Sequence, residues 1–186
     1  MKKNFVFAAM LSLFVFAVSA SAQDKAGKAA SFAGTWTLDI SKSKLGERNS
    51  IESQTLTVVQ TDKDIKVTPA TKRMAPPAGG GGGGRMGGGG MGGGDMTNTY
   101  MLDGKETTVE MDGPMGKMPV KYTGRMDGGK MMLGTSRTFN GPNGEMTMTS
   151  KETWTLSADG NTLTVDAEST SPRGTNSVQR VYTKKI

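Results

Sequence analysis

The chain has 186 residues and a formal net charge of +6, with its Lys and Arg residues scattered along the sequence. The length predicts a single domain, and the charge distribution indicates solubility rather than a polyanionic partner. Cysteine and histidine are both absent, which excludes disulfides, Cys–His and Ser–His nucleophilic sites, and zinc sites built on those ligands.

Residues 1–22 have the features of a secretory signal peptide. Two lysines precede an almost unbroken apolar run from Phe5 to Val18, and Ala20–Ala22 forms a small-x-small cleavage site. The run is shorter than the roughly 20 apolar residues that a membrane-spanning helix needs. We therefore expect cleavage near Ala22, a mature chain starting at Gln23, a periplasmic or extracellular location, and no stable insertion in the membrane.

The first strands are predicted from alternating side chains. Residues 23–31 are small and polar, and we expect them to be flexible. In "FAGTWTLDI", apolar residues alternate with Thr and Asp, which predicts a half-buried strand. The apolar positions are Trp36, Leu38 and Ile40. After a polar connection, "SQTLTVVQTDKDIKVTP" predicts a hairpin that turns at residues 61–64 and whose second strand ends at Pro69.

Residues 70–96 form a low-complexity region rich in Gly and Met. We predict that they are a disordered loop interrupting a single domain that spans residues 32–186. Matches to G-x-G-x-x-G in this region follow no buried strand and open no helix, so they do not indicate a dinucleotide site. Arg85 stands alone among the glycines, whereas nucleic-acid-binding arms repeat arginine, and we expect no nucleic-acid partner.

Turn residues divide the rest of the chain into short strands. Asp103-Gly104 is a tight-hairpin signal between two runs that contain Thr and Val. Further turns are predicted at residues 127–129, 140–145 and 158–161. The sequence therefore predicts an all-β fold, an antiparallel up-and-down meander of about 8–10 strands that closes into a barrel, because closure removes exposed strand edges.

Both ends of the mature chain resemble known β-barrel families. Gly34-Thr35-Trp36 is similar to the Gly-x-Trp opening of lipocalins and fatty-acid-binding proteins, and Arg180-x-Tyr182 resembles the closing strand of the fatty-acid-binding group. With "TLSADGNTLTV", the chain also resembles small exported bacterial proteins of lipocalin-like type. The resemblance implies a lipocalin-like, calycin-type barrel, although the connection after the first strand is too short for the two helices of fatty-acid-binding proteins.

The resemblance also implies roles for individual residues. The first and last strands are neighbours in such barrels, so Trp36 and Arg180 are expected to stack and, with Gly34, to close the barrel. The alternative role of Arg180 is to bind a ligand carboxylate together with Tyr182 inside the barrel.

A binding protein is favoured over an enzyme. Most candidate carboxylates lie near turns, where Asp is favoured for local reasons, and no pair has a spacing that indicates acid–base catalysis. We expect an exported, non-enzymatic monomer that holds a small hydrophobic or amphipathic molecule inside the barrel. Tyr100 and Tyr122 are further candidates for contacting that ligand, although a purely structural role in the core stays open for both.

Two alternative functions stay open. Every methionine of the mature chain lies between Met74 and Met148, and the glycine-rich region spaces out Met86, Met91 and Met96. Thioether sulfur is a soft ligand that suits Cu(I), so binding of Cu(I) or Ag(I) is one alternative to a protein without a cofactor. The other alternative is a structural, envelope-associated protein without a small ligand.

Overall fold

The computed structural model describes residues 30–46, 49–75, 95–113, 116–141 and 144–185. These residues form one antiparallel sheet and a short 3-10 helix, so the all-β prediction is confirmed. The strands are β1 Gly34–Leu38, β2 Ile51–Gln60, β3 Asp64–Arg73, β4 Asn98–Met101, β5 Thr107–Gly113, β6 Gly116–Asp127, β7 Lys130–Gly141, β8 Gly144–Leu156, β9 Thr162–Ser171 and β10 Gly174–Lys184, and the 3-10 helix is Ile40–Lys42. Within this part of the chain, no helix is long and apolar enough to cross a membrane.

The first and last strands pair with each other. The strand order is β4-β3-β2-β1-β10-β9-β8-β7-β6-β5. Across the central pair, Trp36 lies opposite Lys184 and Leu38 lies opposite Tyr182. This pairing bends the series of hairpins into a nearly closed barrel, as the sequence predicts.

The barrel closes along a seam between β4 and β6. β5 covers β6 as far as Tyr122, which lies opposite Thr107 at the start of β5. Beyond that point Asp103 forms a β-bridge with Arg125, and the Gly104 amide donates a hydrogen bond of 3.0 Å to the carbonyl oxygen of the residue before Arg125. The end of β4 therefore meets an edge of β6 that β5 leaves uncovered.

The predicted hairpin at Asp103-Gly104 is wrong. β4 pairs with β3 and β5 pairs with β6, so the two strands that flank this dipeptide stand at opposite ends of the strand order. Gly104 does adopt the positive φ of a tight turn, at +76°. The turn carries the chain across the seam instead of folding it back along a paired strand.

Strand β3 is longer than the sequence predicts. It continues through Pro69 to Arg73, so the expectation that Pro69 ends it is wrong. The pairing of β3 with β4 extends only to Val67. Proline is tolerated beyond that point because an edge without a partner strand does not need the missing N–H. Residues 76–94 of the predicted loop lie outside the described residues.

Aromatic side chains fill one end of the barrel. The Trp36 indole N–H donates a 2.9 Å hydrogen bond to the Phe32 carbonyl, and the Phe32 ring meets Trp154 edge to face at a centroid distance of 6.2 Å. The Gln60 side chain accepts a hydrogen bond from the Phe32 amide at 2.7 Å and donates one to the Ala30 carbonyl at 3.3 Å. The residues before β1 thus cover the end of the barrel near the β2–β3 turn.

The expected stacking of Trp36 on Arg180 is wrong. Lys184 takes that place, with its Nζ 5.3 Å from the centroid of the indole ring. Gly34 permits this approach, since a Cβ there would lie 3.0 Å from Lys184 Cε, and its φ of +138° is unfavourable for other residues. Arg180 precedes Lys184 by about 13 Å of extended strand, so its side chain cannot occupy the same position.

Gly124→Ala should lower the free energy of unfolding by about 1–3 kcal/mol, because it overpacks the seam. A Cβ at this position would lie 2.8 Å from the Met101 carbonyl oxygen and 3.0 Å from Tyr100 Cβ. Urea denaturation measures the loss. Gly134→Ala is the matched control, since its new methyl group meets the hydroxyl of Thr123, a side chain that can rotate. Unchanged stability of Gly124→Ala would contradict a closely packed seam.

Candidate functional site

The barrel interior contains a cavity of about 720 Å³. It extends from the aromatic core to Arg73 and Asp95, two exposed residues at the other end of the barrel. Its main apolar lining residues are Leu56, Val67, Leu133, Trp154, Val165 and Ala167. Its main polar lining residues are Gln54, Asn98, Thr135, Ser150, Ser169 and Asn176.

The strand register separates the apolar and polar parts of the lining. Trp154 lies opposite Val165, and both side chains are buried next to the core. Further along the same strands, Ser169 lies opposite Ser150 on β8 and opposite Asn176 on β10. The three polar residues form a belt across β8, β9 and β10, so the inner part of the cavity is apolar and the outer part is polar.

Arg180, Tyr182 and Tyr100, three of the four side chains predicted to contact a ligand, line the cavity. The Tyr182 hydroxyl donates a 2.7 Å hydrogen bond to Gln54 Oε1. The Tyr100 hydroxyl oxygen lies 3.2 Å from that of Thr135. These contacts bring β2 to β10 and β4 to β7 across the barrel interior.

Tyr122, the fourth candidate, packs against Tyr100. The two rings meet edge to face, with their centroids 5.2 Å apart and their planes at 86°. The Tyr122 hydroxyl donates a 3.0 Å hydrogen bond to Asn98 Oδ1. Because Tyr122 itself is outside the cavity lining, its direct role is to support Tyr100 and Asn98.

Arg180 has an acidic neighbour that the sequence analysis did not anticipate. Its Nη1 lies 3.9 Å from Glu152 Oε1, and the two side chains are each 27% exposed. The other Glu152 oxygen accepts a 2.8 Å hydrogen bond from the Trp154 indole N–H. Arg180 Nε is buried without a hydrogen-bond partner among the described residues. Arg180 therefore has one acidic neighbour, at a distance too long for a hydrogen bond, and its Nε donor has no partner among the described residues.

Burial controls the ionisation of the tyrosines in the cavity. It raises the pKa of Tyr182 well above the usual value, and the Arg180 charge opposes the increase only in part. Burial also raises the pKa of Tyr100, and the negative charge of Glu152 raises it further. Both hydroxyls therefore stay protonated at physiological pH. That of Tyr182 donates to Gln54, and that of Tyr100 is able to donate or to accept.

Glu152 and Arg137 are the charged interior residues that the sequence analysis missed. Alternation carries a signal for both: Glu152 precedes the buried Trp154 by two positions, and Arg137 follows the cavity-lining Thr135 by two positions. In a strand, residues two apart point to the same face. The same rule that identified the apolar faces therefore places these charges in the interior.

The structure leaves the Cu(I) hypothesis untested. Met86 and Met91 lie outside the described residues. Met96 is 52% exposed, so its thioether faces solvent rather than the core. Within the described part of the chain, no three His, Cys, Asp or Glu side chains form a group that could hold a metal ion. Binding of Cu(I) through Met86, Met91 and Met96 stays a prediction.

Several solved structures are similar to this chain. One is the zebrafish ileal bile acid-binding protein complexed with cholic acid, at 19% identity over 83% of this chain and 98% of that chain, with a TM-score of 0.46. Others are human cRBP IV, at 11% identity over 84% and 99% with a TM-score of 0.47, and the fatty-acid-binding protein isolated from Manduca sexta, at 16% over 82% and 99% with a TM-score of 0.41. No protein-family model and no curated protein matches the chain.

The predicted lipocalin-like architecture is confirmed as an arrangement of strands, an antiparallel meander whose ends meet. The similar structures have identities of 19% or less and TM-scores below 0.5. The chemistry of this cavity therefore has to be derived from its own residues.

Stability should fall as pH rises above about 10, the usual pKa of tyrosine. Tyr182 and Tyr100 have raised pKa values in the folded state, so above that pH the unfolded chain releases protons that the folded protein still holds. The free energy of unfolding therefore falls as pH rises. Urea denaturation between about pH 9 and about pH 11.5 measures the slope. Tyr182→Phe should make the slope shallower, whereas an unchanged slope would contradict a buried, protonated Tyr182.

Proposed function

We propose that this chain is an exported, non-catalytic protein that binds a small amphipathic molecule in the barrel cavity. The observation that carries the proposal is the cavity of about 720 Å³, which is apolar beside Trp154 and polar along the belt of Ser150, Ser169 and Asn176. Ligand pockets in proteins commonly have volumes of about 300–1,000 Å³ and combine apolar walls with a few polar groups.

The contrast between the two ends of the barrel favours binding over a purely structural role. At one end Phe32, Trp36 and Trp154 fill the interior with their own side chains. Protein interiors are normally packed to that density, because empty space forfeits dispersion contacts. The described residues leave the other half of the barrel unfilled, and a bound molecule would recover the missing contacts.

The distribution of polar groups indicates the class of ligand. An apolar tail would lie against Trp154, Val165 and Leu133, where burial of apolar area provides the binding free energy. A polar group would lie toward the belt around Ser169, where hydroxyl and amide side chains can exchange water for a ligand. A ligand that is apolar throughout would leave this belt without partners, so an amphipathic molecule fits better.

Ser169→Phe should weaken binding of an amphipathic probe by about tenfold or more, because the added ring occupies the outer part of the cavity. Thr170→Phe is the matched control, since Thr170 is the next residue on β9 and is exposed on the outer face. Displacement of a fluorescent probe such as 8-anilinonaphthalene-1-sulfonate by dodecanoate measures binding, and thermal unfolding checks that both variants are folded.

Two outcomes would contradict the proposed function. Equal loss of binding in both folded variants would place the probe outside the barrel. Failure of the parent protein to bind any amphipathic probe, together with native mass spectra that show no retained small molecule after purification from its own host, would favour a structural role.

Export rests on the sequence features of residues 1–22. Exported protein should begin at Gln23, because signal peptidase recognises a small-x-small motif, here Ala20-Ser21-Ala22, and cleaves after its last residue. N-terminal sequencing of protein from the periplasmic fraction of an expressing bacterium measures this. Ala22→Leu should block cleavage and leave the precursor in the membrane fraction, whereas exported parent protein that still begins at Met1 would refute a cleaved signal.

A further inference from the structure

Strand β5 has a free edge. It pairs with β6 along its whole length of seven residues, and it stands at the end of the strand order, so no other strand of the described chain pairs with it. An unpaired edge presents a row of backbone N–H and C=O groups to which another strand can add. Strands of five or six residues are typical in proteins, so the β5 edge is long enough for such an addition.

Solvent reaches both faces of β5. Val109 lies opposite the fully buried Val120, so its side chain is on the inner face of the sheet, yet 45% of its surface is exposed. The next residue, Glu110, points to the outer face and is exposed as well. Among the described residues, none therefore covers this edge, and a strand placed along it would bury the exposed part of Val109.

The outer face of β5 carries an acidic pair. Glu110 and Asp112 are two residues apart, so both carboxylates point to the same side of the strand, and both side chains are exposed. Neither forms a salt bridge with a described residue. The residue opposite Glu110 on β6 is Pro119, which carries no charge.

The basic residues of β6 do not form salt bridges with this acidic pair. Lys121 forms one with Glu106 instead, at 2.9 Å. Lys117 lies opposite Asp112, but no salt bridge joins the two side chains. Both carboxylates of the pair are thus free to meet cations on the open side of β5.

We propose that the free edge of β5 binds an extended basic segment of another protein as an added strand. Basic side chains of the segment would lie opposite Glu110 and Asp112, since opposite charges at facing positions stabilise a pair of strands. The alternate, apolar side chains would cover Val109 and Met111 on the inner face. The partner is therefore recognised by a pattern in which Lys or Arg alternates with apolar residues, and this role does not involve the barrel cavity.

Three synthetic peptides test the proposal. One has the sequence KVKVKVK, the second has the sequence EVEVEVE, and the third is the basic peptide with its backbone amides N-methylated. N-methylation keeps the charge and removes the donors that a strand ladder needs. Fluorescence anisotropy of the labelled peptides measures affinity. The parent protein should bind the basic peptide about tenfold or more tightly than the acidic one, and N-methylation should abolish binding.

Charge reversal on β5 should reverse this preference. The double variant Glu110→Lys with Asp112→Lys should bind the acidic peptide more tightly than the basic one. The matched control is Asp166→Lys with Glu168→Lys, which changes the net charge equally. These two residues are also exposed and two apart on an outer face, but they belong to β9, which pairs with β8 and β10 on its two edges. The control should keep the preference of the parent, and thermal unfolding checks that both variants are folded.

Hydrogen exchange measured by NMR locates the added strand. Alternate amides of β5 point away from β6 and should exchange quickly in the free protein, because they have no partner in the described chain. The basic peptide should slow the exchange of these amides, whereas the acidic peptide should not.

Several outcomes would overturn the proposal. Equal affinity for the basic and acidic peptides, or binding that survives N-methylation, would exclude recognition by a charged strand ladder. Reversal of the preference in the β9 control would reduce the effect to net charge. Slow exchange of every β5 amide in the free monomer would show that another part of the chain already occupies the edge, and slow exchange only at high protein concentration would assign the edge to a second copy. Ser169→Phe should leave peptide binding unchanged, so failure of the proposed cavity function would not affect this result.

Discussion

The cavity depends on the pairing of β1 with β10. This pairing joins the first and last strands of the described chain at the centre of the sheet. It allows the Tyr182 hydroxyl to reach Gln54, a residue 128 positions away in sequence. Contacts of such long range form late because chain entropy opposes them. The cavity therefore does not exist until the last strand has joined the first, which makes an intact β10 a requirement for the proposed binding function.

The two ends of the interior have different physical roles. Around Trp36 and Phe32, dense aromatic packing and the hydrogen bonds of Gln60 provide stability. Around Ser169, the interior contains a polar belt and free space, and Arg180 Nε is buried without a hydrogen-bond partner among the described residues. Unfilled space and buried donors without partners both lower stability, and their concentration at one end supports the proposed binding function. The packed end provides the stability that tolerates them.

Much of the fold follows from alternation and turn residues, whereas the question of which strands and side chains meet does not. The faces of β2, β3, β9 and β10 follow from the two-residue period. Asp103-Gly104 has the residue types of a hairpin turn. Whether the strands on either side of it pair depends instead on which strand edges are free, and that is a property of the whole barrel. Similarly, Trp36 does stack with a cation, but the register selects Lys184 instead of Arg180. Arg137 lies on a face that alternation predicts, whereas the absence of a salt bridge between it and any described carboxylate is visible only in the coordinates.

The seam leaves the outer edge of β5 without a partner strand in the described chain. This edge exposes Val109, at 45% of its surface, beside the exposed carboxylates of Glu110 and Asp112. A free edge can recruit a strand from another molecule, and charged side chains oppose such growth. Two copies aligned along β5 would bring these carboxylates together in a row of like charge. This row of like charge opposes growth along β5, so the colloidal stability of concentrated protein depends on carboxylates far from the interior cavity.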